Sequence, residues 1–303
     1  MVGAGATGGF FGGRLAKAGR DVTFLVRAKR AAQLRESGLE IKSPLGDFTI
    51  APQIAQTETI AAPYDVVLLG LKAYQLDAAI DDFAPAVGPQ TMILPMLNGM
   101  LHIDRLVERF GEAPVLGGVC YVASTLDEHG RVVQLNDMQQ LVYGERGGGI
   151  SPRITALDEQ MQGAVFSATA SPHIMQDMWE KWTVLATLGA STCLMRGTIG
   201  DIVNAGGAPL ISRIIDECAA VARASGHPPR EPFITDARGR LTASNSTMTS
   251  SMYRDMQQGN RVEADHILGD LVERARGFDL DTPLVAAAYM QLNVYQRSLA
   301  ERA

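Results

Sequence analysis

In the first half of the chain, short unbroken apolar runs alternate with segments of helical character. The runs are Asp21-Val22-Thr23-Phe24-Leu25-Val26, Tyr64-Asp65-Val66-Val67-Leu68-Leu69-Gly70, Thr91-Met92-Ile93-Leu94-Pro95-Met96, Val115-Leu116-Gly117-Gly118-Val119-Cys120-Tyr121 and the shorter Leu141-Val142-Tyr143-Gly144. Continuous apolar strands without polar alternation are buried on both faces, which predicts a parallel sheet covered by helices on either side. Asp127 to Asn136 reads as a hairpin around Glu128-His129-Gly130, Arg146 to Pro152 as a flexible glycine-rich loop, and Ile154 to Met161 as a further helix. Near Ser171 the period changes. Pro172 opens a helix that runs through Met195. Pro209 opens another over Leu210 to Ser225, capped by Gly226. Arg261 to Arg276 is periodic and stops at Gly277, and Thr282-Pro283 starts a last helix to about Glu301. The expected architecture is α/β: a doubly wound parallel-sheet domain over residues 1–170 and an all-helical domain over 171–303. A ligand is expected at the carboxyl ends of the strands, in the cleft between the two domains.

Composition narrows the classes. The 303 residues are 46% hydrophobic and 20% charged, enough apolar material for two ordinary cores. A net charge of −6 leaves no general basic surface for nucleic acid. No apolar run is long enough to span a membrane, and no charged segment followed by an apolar one opens the chain as a signal peptide would, so the expected location is cytoplasmic. Cys120, Cys193 and Cys218 are odd in number and widely spaced in apolar sequence, as expected of buried free thiols. The five histidines show no metal-ligand spacing, so no metal is expected.

The chemistry begins at the first residues. Gly3-Ala4-Gly5-Ala6-Thr7-Gly8 spells G-x-G-x-x-G, and a strand and a basic cluster follow it. In a Rossmann-type domain the first glycine permits the tight turn, the second lets backbone approach a pyrophosphate, and the third lets the helix pack on the sheet. The pyrophosphate would rest on the N–H groups of Gly5, Ala6, Thr7 and Gly8 at the positive end of the helix. Only two residues precede Gly3, so the first strand is clipped or the chain starts a few residues into it. Position 27, at the tip of the second strand, would be acidic for the ribose hydroxyls of NAD. It is Arg27, with Lys29 and Arg30 behind it, which suits the 2′-phosphate of NADP; a solvated basic turn would look the same.

Lys72 and Asn98 follow the third and fourth strands, where side chains face the expected cleft, although Asn98-Gly99 is also a common turn dipeptide. Lys181 lies in the largely apolar helix Met178 to Ala186. It either snorkels to solvent or faces the cleft, where lost hydration would make it a proton donor near neutral pH. Ser251 is a candidate helix N-cap, and Glu263 and Asp265 would complement a helix dipole.

Taken together, these residues resemble the ketopantoate reductase (2-dehydropantoate 2-reductase) family over essentially the whole chain. Most specific is Ser250-Ser251-Met252-x-x-Asp255 with Glu263 eight residues beyond. The resemblance implies that Gly3, Gly5, Ala6, Thr7, Gly8, Arg27, Lys72 and Asn98 serve NADP, with Arg27 on the 2′-phosphate and Lys72 and Asn98 lining the cofactor and substrate cleft. It implies Lys181 as general acid with Glu263 as its polar partner, and Ser251 on the substrate carboxylate. The implied reaction is NADPH-dependent reduction of 2-dehydropantoate to pantoate, in pantothenate and coenzyme A biosynthesis, or of a related bulkier 2-keto acid. One departure stands out: the family's asparagines four and eight residues after the lysine are here Leu185 and Gly189. Leucine cannot bond a substrate oxygen, which argues for a bulkier or more apolar substrate. The same departure leaves open a non-catalytic NADP-binding sensor, which the retained Lys181, Ser251 and Glu263 argue against. A hydroxy-acid or opine dehydrogenase is opposed by the Ser-Ser-Met block. Leu284, Val285, Ala288, Tyr289, Leu292 and Tyr295 of the last helix would serve a homodimer contact or intrachain packing equally.

Overall fold

The computed structural model describes residues 1–301. Two compact units emerge. The first comprises Met1–Leu97 and His102–Ile174; the second comprises Asn98–Leu101 and the chain from Met175 onward. Four residues next to a strand of the first unit therefore fold with the second.

In the first unit, a parallel sheet is built from β1 (Thr23–Leu25), β4 (Gln53–Ala55), β5 (Val66–Leu69) and β6 (Met92–Pro95). Val2 joins the two halves by parallel bridges to Leu25 and Leu69, and Val115 extends the sheet beyond Ile93. The order β4-β1-Val2-β5-β6-Val115 reverses direction at the N-terminal strand, as in a doubly wound sheet. That first strand is short: Val2 N–H donates to the Leu68 carbonyl at 2.7 Å, and its own carbonyl accepts from Gly70 at 3.0 Å.

A second sheet holds β2 (Leu39–Lys42), β3 (Phe48–Ile50), β7 (Gly117–Leu126), β8 (Val132–Gly144) and β9 (Ser167–Ala170). The apolar run from Val115 thus touches the parallel sheet only at its first residues, and from Gly117 on it pairs with the run at 141–144 in one long antiparallel pair, β7–β8. β2, β3, β4 and β9 have three or four residues each and give little periodic signal. Helix α1 (Ala6–Lys17) lies between the two sheets. A Cβ on Gly12 would stand 2.7 Å from the Phe24 ring, and one on Gly13 would stand 2.4 Å from Ile41 Cδ1. The remaining helices of this unit are α2 (Ala28–Ser37), α3 (Leu76–Phe83) and α5 (Pro152–Met161). Ser151 caps α5, accepting from the Ile154 N–H.

The second unit is helical among its described residues: α6 (Ile174–Met195), α7 (Ile199–Asn204), α8 (Ala208–Ala224), α9 (Glu231–Leu241), α10 (Ser251–Gln257), α11 (Asp270–Gly277) and α12 (Pro283–Ala300). Helix α4 (Leu101–Phe110) starts in this unit and runs on into the first. Residues Asp265–Gly269 form a π-helical turn running directly into α11. Leu188, Ile199, Ile202, Ile211, Ile215 and Leu241 form a core of this unit. On α12, Val285, Ala288 and Leu292 are buried, Tyr289 Oη donates to Asp265 and Tyr295 Oη to the Asn260 carbonyl. These side chains serve intrachain packing. All three cysteines are free and buried, and burial pushes the Cys193 and Cys218 thiols up to about 11 and about 12. Among the described residues no helix is long and apolar enough to cross a membrane, and no group of three His, Cys, Asp or Glu side chains could hold a metal.

Candidate active site

The glycine turn is forced by contact as much as by conformation. Gly3 has φ +86°, the left-handed region that glycine enters without strain. A Cβ on Gly8 would stand 2.3 Å from the Gly3 carbonyl oxygen, and one on Gly70, just past β5, would stand 2.4 Å from Gly8 Cα. Gly5 occupies the N-cap of α1 with no side-chain cap. A Cβ there would have only the Gly70 carbonyl oxygen near it, at 3.9 Å, so the helix N-terminus presents bare N–H groups.

Arg27 is the exposed N-cap of α2. Arg30, one turn further, reaches back to this turn. Its Nε donates to the Ala4 carbonyl at 3.2 Å and its Nη1 to Gln33 Oε1 at 2.6 Å, while its Nη2 is buried with no hydrogen-bond partner among the described residues. Loss of hydration on burial lowers the Arg30 pKa, but an arginine stays charged at any physiological pH. An unpartnered guanidinium nitrogen beside bare helix N–H groups fits an anionic phosphate. Lys72 is half-buried, three residues past β5.

In the second unit, Lys181 is 9% exposed on α6, and its Nζ donates to Asn98 Oδ1 at 3.0 Å. The lysine does not snorkel. Asn98 is held by its neighbour: Gly99 has φ +82°, and a Cβ there would meet the His266 carbonyl oxygen at 2.3 Å and Trp182 Nε1 at 3.9 Å. That indole N–H donates to the Ile267 carbonyl at 2.9 Å. The π-helical turn thus supplies one carbonyl to Trp182, beside Lys181, and presses another against the loop carrying Asn98. Glu263, buried, lies two residues before that turn.

Ser250, not Ser251, is the N-cap of α10; its Oγ accepts from the Tyr253 N–H at 3.0 Å. Thr192 Oγ1 already donates to the Leu188 carbonyl at 2.6 Å, so in the 2.8 Å contact between the two hydroxyls Ser250 is the donor. Ser251 follows, half-buried, as the first residue of α10.

Glu180, next to Lys181, is buried on another side of α6. It accepts from the Arg230 backbone N–H at 2.8 Å, from Arg230 Nε at 2.9 Å and from Gln176 at 3.3 Å. Burial alone would raise its pKa, but the Arg230 side chain and backbone and Gln176 outweigh it and hold the carboxyl below the usual range. A carboxyl with a lowered pKa adds stability that is full above its unfolded pKa and lost as pH falls through the folded one. Glu180→Gln is therefore expected to cost about 1–3 kcal/mol at pH 7 and to remove part of the acid sensitivity. Urea unfolding at pH 7 and at pH 4 measures both, and an unchanged midpoint would show that the pair is idle.

Residues 1–148 match the family model "Ketopantoate reductase PanE/ApbA", and residues 173–296 match "Ketopantoate reductase PanE/ApbA C terminal". The chain belongs to the ketopantoate reductase family. It is similar to "Uncharacterized oxidoreductase YkpB" of Bacillus subtilis, with 36% identity over 298 residues and 98% of each chain covered. It is 28% identical to a 2-dehydropantoate 2-reductase of Mesorhizobium japonicum, covering 100% of this chain and 98% of the relative. The crystal structure of 2-dehydropantoate 2-reductase from Methylococcus capsulatus superposes with a TM-score of 0.88 at 25% identity, over 98% of this chain and 96% of the other. The chain is accordingly an oxidoreductase of this family.

Within that frame, sequence reasoning missed several residues. Arg30 was visible as part of a basic cluster, but its reach to Ala4 was not. Nothing in the sequence pointed to the π-helical turn or to Trp182 as its partner. Gly70 had a signal of its own, a glycine ending a buried strand, where close backbone approach is a common reason.

Proposed function

We propose that the chain reduces the ketone of a small 2-keto acid to a 2-hydroxy acid with NADPH, ketopantoate being the first substrate to try. The observation that carries this reading is the buried Lys181 ammonium, oriented by Asn98 Oδ1 in the unit that also holds Glu263 and Ser251. Bound NADPH supplies the hydride. As negative charge grows on the ketone oxygen, the Lys181 ammonium neutralises it and then delivers a proton from Nζ. Asn98 Oδ1 accepts one of the three N–H groups of the Lys181 ammonium and so sets its direction. Glu263 is the carboxylate that keeps the lysine charged and orients the substrate, and Ser251 binds the substrate carboxylate.

For the cofactor, Gly3, Gly5, Ala6, Thr7 and Gly8 receive the pyrophosphate, and Arg27, Arg30 and Lys72 neutralise phosphate charge. The unpartnered Arg30 Nη2 supports a phosphate-bearing ribose over a bare one. Arg27→Ala and Arg30→Ala are each expected to raise the KM for NADPH about 10-fold or more while leaving that for NADH nearly unchanged, since a charge-assisted bond contributes roughly 1.5–3 kcal/mol. Equal loss with both cofactors would remove the 2′-phosphate role. The reading as a whole is tested by steady-state NADPH oxidation with ketopantoate and a panel of other 2-keto acids. Tight NADPH binding without oxidation by any of them would favour the sensor instead.

A further inference from the structure

We infer that α6 meets the substrate's side chain with hydrocarbon, and that the preferred 2-keto acids carry an apolar, hydroxyl-free group on C3. This rests on the proposed reduction of a 2-keto acid at Lys181. The ground lies on α6. Between Lys181 and the residues that touch α10, the positions on the lysine's face are Leu185, one turn on, and Gly189, two turns on. Gly189 is closed off: a Cβ there would stand 2.4 Å from Met252 Cε, and Met252 is fully buried. The space left by the missing side chain is filled by a thioether methyl group. No amide stands there, and the position belongs to the core.

The threonine hydroxyls along this stretch are bonded within the helix, and Ser191 Oγ is buried with no hydrogen-bond partner among the described residues. Thr183 donates to the Trp179 carbonyl at 2.9 Å and Thr187 to the Thr183 carbonyl at 2.8 Å, as Thr192 does to Leu188, and all three threonines are buried. The half-buried side chain that α6 offers beyond Lys181 on this face is Leu185. A substrate hydroxyl laid against it would give up water and gain no partner.

Magnitudes separate the alternatives. A site that hydrogen-bonds a substrate hydroxyl rejects the analogue lacking it by about 10⁴-fold or more, whereas an apolar site disfavours the added hydroxyl by about 100-fold at most. Two keto acids differ by that single group: 3,3-dimethyl-2-oxobutanoate and its 4-hydroxy derivative, ketopantoate. The experiment measures kcat/KM for both with NADPH on the intact protein. The expected result is that the hydroxyl-free acid is reduced at least as well as ketopantoate, by a factor of up to about 100. A preference for ketopantoate beyond twofold overturns the inference while leaving the proposed reduction standing. Failure to oxidise NADPH with either acid overturns both.

A second measurement uses Leu185→Asn, at a position exposed enough to accept an amide. It should move the ratio toward ketopantoate by about 10-fold or more, through KM for the keto acid rather than through KM for NADPH. An unmoved ratio would show that Leu185 does not face the substrate. Gly189→Asn alone is expected to lose soluble protein, because Met252 occupies the space, and joining it to Met252→Ala should restore folding.

Discussion

Lys181→Ala should lower turnover about 10²–10⁴-fold, the range that a positioned general acid contributes, while NADPH still binds. The lysine is the buried cation of its helix, and its bond to Asn98 fixes where the ammonium sits. Without it, charge developing on the ketone oxygen has no neutralising partner, and the proton must come from water. Arginine is a poor replacement: it remains charged and cannot give up a proton near neutral pH. The variant also leaves the Asn98 amide oxygen without this donor, which costs about 1–3 kcal/mol of stability. Single-turnover NADPH oxidation measures the chemistry, and quenching of NADPH fluorescence measures binding. Turnover within a factor of a few of the unaltered protein would remove Lys181 from the proton-transfer role.

The second large effect is expected at Gly99. An alanine there must adopt φ +82° and carry a methyl group 2.3 Å from the His266 carbonyl oxygen. Left-handed backbone costs a non-glycine residue about 1–2 kcal/mol, and overpacking against fixed backbone about 1–3 kcal/mol more. The π-helical turn or the Asn98 loop must give way, and either movement displaces the acceptor of Lys181. Gly99→Ala should therefore lose stability and kcat together. Gly19→Ala is the control, because Gly19 has the same φ of +82° with nothing within 4 Å of a Cβ. The excess destabilisation of Gly99→Ala over Gly19→Ala measures the contact alone. Equal unfolding midpoints for the two would show that the turn does not clamp the loop.

How far the sequence could be read depended on the range of each interaction. β5 and β6 were legible because four consecutive apolar residues leave few alternatives for a buried segment. The G-x-G-x-x-G turn was legible because each glycine has its own steric reason. By contrast, Gln53–Ala55 and Ser167–Ala170 are strands only because neighbouring strands pair with them, which no local propensity encodes. The outer parts of β7 and β8 carry polar and exposed residues such as Asn136 and Asp137, so one long hairpin read as two short strands and a separate small hairpin. In the site, Lys181 and Asn98 were found by type and position, but their contact spans 83 residues of sequence and needed the fold. The cap of α10 was misplaced by one residue because Ser250 and Ser251 are the same residue type. Their partners in the fold, the Tyr253 N–H and the Thr192 hydroxyl, distinguish them.

The four residues Asn98–Leu101 bear on how this protein can be cut and recombined. A fragment that begins at Met175 carries Lys181, Ser251 and Glu263 but leaves behind the amide that orients the lysine and the glycine that seats against the π-helical turn. A chimera joined at Ile174 and Met175 takes its lysine from one parent and the partner amide from the other. The unit that holds this contact is thus discontinuous in the gene, and a crossover at the obvious boundary exchanges a helical domain while splitting the hydrogen-bonded pair Lys181 and Asn98.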